Sequence, residues 1–182
     1  MPINSTAMKR LLPVCILILA SCAQIRVHTL GDPGVDFTSY QSWCWLQGCE
    51  ITYDGPDYLY DSSTIETVAN AVAFEMYQKG YKQEGDSADL FVDFHIVVKE
   101  DSAVFSMIHE EDLPFWNNSE QEYYHFLRGS LIIQIGDRRA GKMVWRSDTR
   151  RLMALRPDIE DNDIRKGVKK ALKKFPTRDK SR

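Results

Sequence analysis

Residues 89–99 read Asp89-Leu90-Phe91-Val92-Asp93-Phe94-His95-Ile96-Val97-Val98-Lys99. Leu90, Val92, Phe94, Ile96 and Val98 recur at every second position, while Asp93, His95 and Lys99 fall between them. A period of two places the apolar set on one side of an extended chain and the charged set on the other, the pattern of a strand with one buried and one wet face.

The same logic extends C-terminally. Leu131, Ile133 and Ile135 alternate with Ser130 and Gln134, Gly136–Gly141 supplies a turn, and Met143, Trp145 and Ser147 resume the alternation opposite Val144 and Arg146. Two such runs joined by a short glycine-containing turn predict an antiparallel hairpin. Tyr40–Trp45 adds an aromatic-rich strand upstream. Between these strands Ile65, Val68, Ala69, Val72 and Met76 recur at helical spacing, preceded by a Ser63/Glu66 capping box and followed by Gly80. A second helix is expected from about Glu160 to Phe175, with Ile164, Val168, Ala171, Leu172 and Phe175 as its stripe and Pro176 as its stop. The order strand, helix, strand, hairpin, helix predicts an α+β fold, an antiparallel β-sheet with two main helices packed on one face. The other face, carrying Asp93, His95, Gln134 and Arg146, is left to solvent.

The N-terminus carries a different signal. Lys9-Arg10 precedes an apolar run from Leu11 to Ala20 and then Ser21-Cys22. A basic flank, about ten apolar residues and small residues make a secretory signal peptide, and a cysteine directly after them is a bacterial lipobox. Its thiol is acylated and the chain is cut before Cys22. The alternatives are cleavage without acylation after Ala20 or Ser21, and a membrane-spanning helix; ten residues span only about 15 Å of a hydrocarbon core near 30 Å thick. The expected organisation is a lipoprotein signal peptide at 1–21, a tether at 22–35, one α+β domain at 36–176 and a basic tail at 177–182.

Charge is unevenly spread. The chain of 182 residues has net charge −3. Residues 22–163 hold 12 basic and 25 acidic residues, for −13, whereas 164–182 hold nine basic residues and Asp179, for +8. A lysine-rich helix solvated over an acidic body accounts for the tail; contact with an anionic membrane surface is the alternative. With 43% hydrophobic and 11% aromatic residues the chain buries a real core. Beyond Cys15 and Cys22, Cys44 and Cys49 are separated by four residues, which in an oxidising compartment reads as a disulfide, with free thiols or a metal site as alternatives.

Several segments together resemble the bacterial lipoprotein family DUF4136. They are Asp32-Pro33-Gly34-Val35-Asp36-Phe37-Thr38-Ser39-Tyr40 running into Trp45, Ala88–His95 after Gly80-Tyr81, and Gly129–Ile133 leading to Asp137 and Val144-Trp145-Arg146-Ser147. The resemblance implies a lipid-anchored envelope protein and carries no catalytic residue. Since residue 23 is Ala rather than the Asp that retains lipoproteins at the inner membrane, it further implies the periplasmic face of the outer membrane.

No nucleophile elbow, phosphate loop or dinucleotide fingerprint is present, and His28, His95, His109 and His125 are scattered. The expectation is therefore no cofactor, no metal and no nucleic acid. Phe105, Phe115, Trp116, Tyr123 and Tyr124 concentrate in the acidic segment 100–127 and are the candidate partner-binding residues, as exposed aromatics usually meet something. The expected function is a non-enzymatic binding or scaffolding module, held to the membrane through Cys22 and meeting an envelope protein. The alternative is an envelope hydrolase acting on a cell-wall or carbohydrate substrate from the wet sheet face.

Overall fold

The long strand around residues 89–99 is the spine of the molecule, and it is longer than its alternation suggested. The computed structural model describes residues 25–46, 52–85, 87–107 and 120–178. Among these, strands β1 (Arg26–Gly31), β2 (Ser42–Trp45), β3 (Thr52–Asp54), β4 (Lys82–Gln83), β5 (Leu90–Met107), β6 (Glu120–Asp137) and β7 (Lys142–Met153) form one sheet. Helices α1 (Ser62–Gln78) and α2 (Asp161–Leu172) complete the fold. The order across the sheet is β1-β7-β6-β5-β2-β4, with β3 alongside β5 beyond β2.

The sheet is mixed, not purely antiparallel. β1, β5, β6 and β7 pair antiparallel, but β2 and β3 lie parallel to β5 and β4 lies parallel to β2. The cause is the crossover: the chain leaves β2, runs through α1 on one face and returns, and such a connection delivers a strand parallel to the one it left. The segment expected to be a tether instead forms the β1 edge, its Val27–Thr149 and Gly31–Trp145 pairings laying it along β7.

Both helices cover the same face. α1 starts two residues earlier than the Ser63/Glu66 box indicated. Asp61 is the cap, accepting from the Ser63 and Thr64 amides, and Gly80 at φ 89° ends the element. Ile65, Val68, Val72 and Met76 of α1 and Val168, Ala171 and Leu172 of α2 meet Leu90, Val92, Phe94, Ile133, Ile135 and Trp145 of the sheet in one core. Phe175, just past α2, seals its end against Trp145 and Tyr81 with ring centroids 5.2 and 5.4 Å apart. A register shift at Ile135/Gly136 takes Val144 out of strict alternation, so it is buried while Met143 is exposed, the reverse of the sequence expectation.

The β5–β6 ladder outruns its neighbours. β3 reaches only Val97 and β7 only Leu127, so the seven pairs from Asp101–Phe126 to Met107–Glu120 project as a two-stranded arm of roughly 23 Å.

Candidate functional site

The residues that carried the family resemblance hold the scaffold together. The Asp89 carboxylate accepts from the Gln41 and Ser42 amides at 2.8 and 3.2 Å, tying the start of β2 to β5. Asp137 accepts the Arg139 and Ala140 amides at 2.8 and 3.0 Å to set the β6–β7 turn, and takes the Tyr40 hydroxyl at 2.9 Å. The Ala140 amide is the main reason the Asp137 carboxyl stays below the usual carboxylate range. Burial, and then that bonded carboxylate, push the Tyr40 hydroxyl up to about 12. Asp32 accepts the Gly34 amide at 2.9 Å and pairs with Lys142 at 3.0 Å, which hold its carboxyl low. Each of these aspartates answers a backbone amide that the fold leaves open.

The sheet's other face carries the chemistry. The ladder places four rows of side chains across β1, β7, β6 and β5: Leu30, Arg146, Gln134, Asp93; His28, Asp148, Ile132, His95; Arg26, Arg150, Ser130, Val97; and Leu152, Arg128, Lys99. Asp93, His95, Gln134 and Arg146 thus share this open face, as the alternation required. Asp93 Oδ2 lies 3.0 Å from His95 Nε2. Arg150 donates from Nε and Nη2 to both Asp148 oxygens at 3.1 and 2.6 Å, which raises its already high pKa, and Arg128 pairs with Asp101. Phe91 lies over Gly136 so closely that a Cβ there would sit 1.9 Å from the ring.

Two adjoining concavities lie on this face. One, of about 870 Å³, is lined by Arg26, His28, Arg128, Asp148, Arg150 and Leu152 among others. The other, of about 650 Å³, runs toward β5 and β3 past Asp54, Lys99, Asp101 and Arg146. Among the described residues no group of three metal-ligating side chains converges. Arg26, Arg128 and Arg150 escaped the sequence reading; the signal was a basic residue at alternate positions of β6 and β7, hidden for Arg26 by the tether assignment.

The other candidates divide. Tyr123 and Tyr124 lie on the arm, 57% and 44% exposed, on its two opposite faces. Phe105 pairs through its backbone with Glu122, whereas Phe115, Trp116, Cys22 and Cys49 lie outside the described residues. The expected Cys44–Cys49 pairing falls partly outside the described residues, where only Cys44 is seen. Cys44 is a free thiol buried on β2, its Sγ 3.1 Å from Arg138 Nη1, so the side chain is committed to the β6–β7 turn.

The sequence matches the family model described as a domain of unknown function, DUF4136, over residues 27–177. A search of curated proteins finds no match. Among solved structures, a DUF4136 family protein from Bacteroides thetaiotaomicron superimposes with a TM-score of 0.51 at 16% identity, over 82% of this chain and 94% of that one. A PDZ domain protein from Parabacteroides distasonis gives 0.52 at 13% identity, over 96% of this chain, which spans 41% of that larger protein. The PelC dodecamer from Paraburkholderia phytofirmans gives 0.50 at 10% identity, over 86% of this chain and 100% of the PelC chain. At these identities the likeness is one of fold.

Proposed function

The chain belongs to the DUF4136 family, and from that premise we propose that it is a lipid-anchored envelope protein that works as a non-enzymatic binding module, engaging its partner through the open face and the β5–β6 arm. The observation that carries this reading is the asymmetry of the sheet. One face is filled by two helices, whereas the other leaves an arginine-lined concavity of about 870 Å³ and runs into an arm bearing Tyr123 and Tyr124. Asp32, Asp89 and Asp137 are consumed by the scaffold, whereas on the open face Arg26 and Arg146 have no ion-pair partner among the described residues.

Anchoring rests on Cys22, three residues before the first described residue, Ile25. Among the described residues no helix is long and apolar enough to cross a membrane. Acyl chains at about 0.8 kcal/mol per buried CH₂ would hold the domain within a few residues of the surface, and with Ala23 the periplasmic face of the outer membrane is the proposed site. Envelope fractionation tests the anchor: Cys22→Ser moves to the soluble fraction, and continued retention contradicts it. In-cell photo-crosslinking from Gln134, at the centre of the open face, tests the binding role; a discrete crosslinked species is expected, and none from any open-face position contradicts it.

The Asp93–His95 pair favours a second reading, a hydrolase acting on a cell-wall or carbohydrate substrate. Asp93 would orient the ring through Nε2, leaving Nδ1 to take a proton from an attacking water. Release of reducing ends by the wild type but not by His95→Ala would establish it.

A further inference from the structure

We propose that the concavity between β1, β7 and β6 binds a phosphorylated sugar, a ligand class that deepens, and rests on, the binding role given to the open face. Its first support is charge segregation. The open face carries Arg26, Lys99, Arg128, Arg146 and Arg150, five of the 12 basic residues in 22–163, against Asp54, Asp93, Asp101 and Asp148, four of the 25 acidic ones. The face is thus net positive by one within a segment, 22–163, that carries −13 overall, which favours anions there over the rest of that segment.

The second support is where the cations stand. Arg26 and Arg150 sit directly opposite each other on β1 and β7, and Arg128 is two pairs further along on β6, opposite Leu152. With strands about 4.8 Å apart, the three arginines line one concavity. Arg26 has no ion-pair partner among the described residues. Arg150 keeps Nη1 free of Asp148, whose two oxygens fix its plane, while Arg128 is tied to Asp101 through Nη2 alone. Planar forks held in place and still able to donate are suited to a phosphate. His28, across the ladder from Asp148, adds a further ring donor.

The third support is size and polarity. About 870 Å³ far exceeds a bare phosphate and matches the clefts that hold small organic ligands. Five of the eight lining residues are Arg or Asp, and Val27 and Leu152, the latter 58% exposed, offer a ledge for a sugar ring.

The test is an amide chemical-shift titration of the 22–182 chain carrying Cys22→Ser with glucose 1-phosphate, glucose and inorganic phosphate. Glucose 1-phosphate is expected to shift amides of residues 26–28, 128 and 148–152, to bind at least tenfold more tightly than either glucose or phosphate, and to weaken steeply with salt. Arg26→Gln, which breaks no ion pair, should weaken binding several-fold, and the Arg26→Gln/Arg128→Gln/Arg150→Gln triple variant more than tenfold with an unchanged amide fingerprint elsewhere. The proposal is overturned if glucose 1-phosphate shifts none of these amides, if phosphate alone binds as tightly, or if Arg26→Gln binds like the parent. A crosslink from Gln134 that persists without glucose 1-phosphate binding would sink the sugar phosphate and leave the binding face standing; loss of both would remove the two together.

Discussion

Strand β5 contributes to both sides of the sheet, and its alternate residues have opposite fates. Phe94 is fully buried beneath the helices, while its neighbours Asp93 and His95 face solvent and each other. The covered side is made of shape: rings and branched chains whose value lies in leaving no void. The open side is made of charge, with ion pairs that add little to stability because water competes for them. One face therefore sets the fold, and the other is free to serve a ligand.

The largest expected difference lies between the two faces of this sheet. Phe94→Ala is expected to cost about 3–5 kcal/mol in urea unfolding, whereas Gln134→Ala on the opposite face stays within about 0.5 kcal/mol. Comparable losses would break the division. Next is Asp89→Ala, which strands the Gln41 and Ser42 amides at the β2 junction and should cost about 1–3 kcal/mol. If it left stability untouched but abolished crosslinking, Asp89 would belong to the site and not to the scaffold.

A smaller effect is expected at high pH. Folding raises the Tyr40 hydroxyl from near 10 to about 12, through burial first and the Asp137 bond second. A group raised in this way supports the fold fully below pH 10 and loses that support as pH climbs through 10 to 12. Urea midpoints should therefore fall across that window, and fall less steeply in Tyr40→Phe. The smallest effect has the opposite sign. A Cβ at Gly167, on α2, meets nothing within 4 Å, so Gly167→Ala should stabilise by about 0.5–1 kcal/mol with no change in ligand binding.

Much of this was legible in the chain because period-two alternation is a direct image of a two-sided sheet. Leu90 to Val98 and Leu131 to Ile135 gave the core face, and Asp93, His95, Gln134 and Arg146 the open one. Of the parallel strands β2 was legible as the aromatic-rich Tyr40–Trp45, whereas β3 and β4, three and two residues long, are too short to carry a pattern, and the direction of all three is imposed by the α1 crossover. β1 was lost because its alternation, Arg26, His28 and Leu30 against Val27 and Thr29, is weakly apolar on either side, as suits an edge strand. With it went Arg26, and so the concavity that three arginines line. Their sharing of it comes from register across β1, β7 and β6, which no single segment encodes. The Asp61 cap was masked by the adjacent Ser62-Ser63-Thr64, any of which has cap chemistry.

The division between the two faces is tested most directly by measuring stability and capture on the same pair of variants. Arg26→Gln/Arg128→Gln/Arg150→Gln and Asp89→Ala would each be unfolded in urea and each scored for crosslinking from Gln134 in intact cells. The arginine variant should keep a near-parental midpoint and lose the crosslink, while Asp89→Ala should lose stability and, wherever it remains folded, keep the crosslink. The reverse pattern, an arginine variant that unfolds early or one that stays folded and still crosslinks fully, would contradict the assignment of binding to the open face.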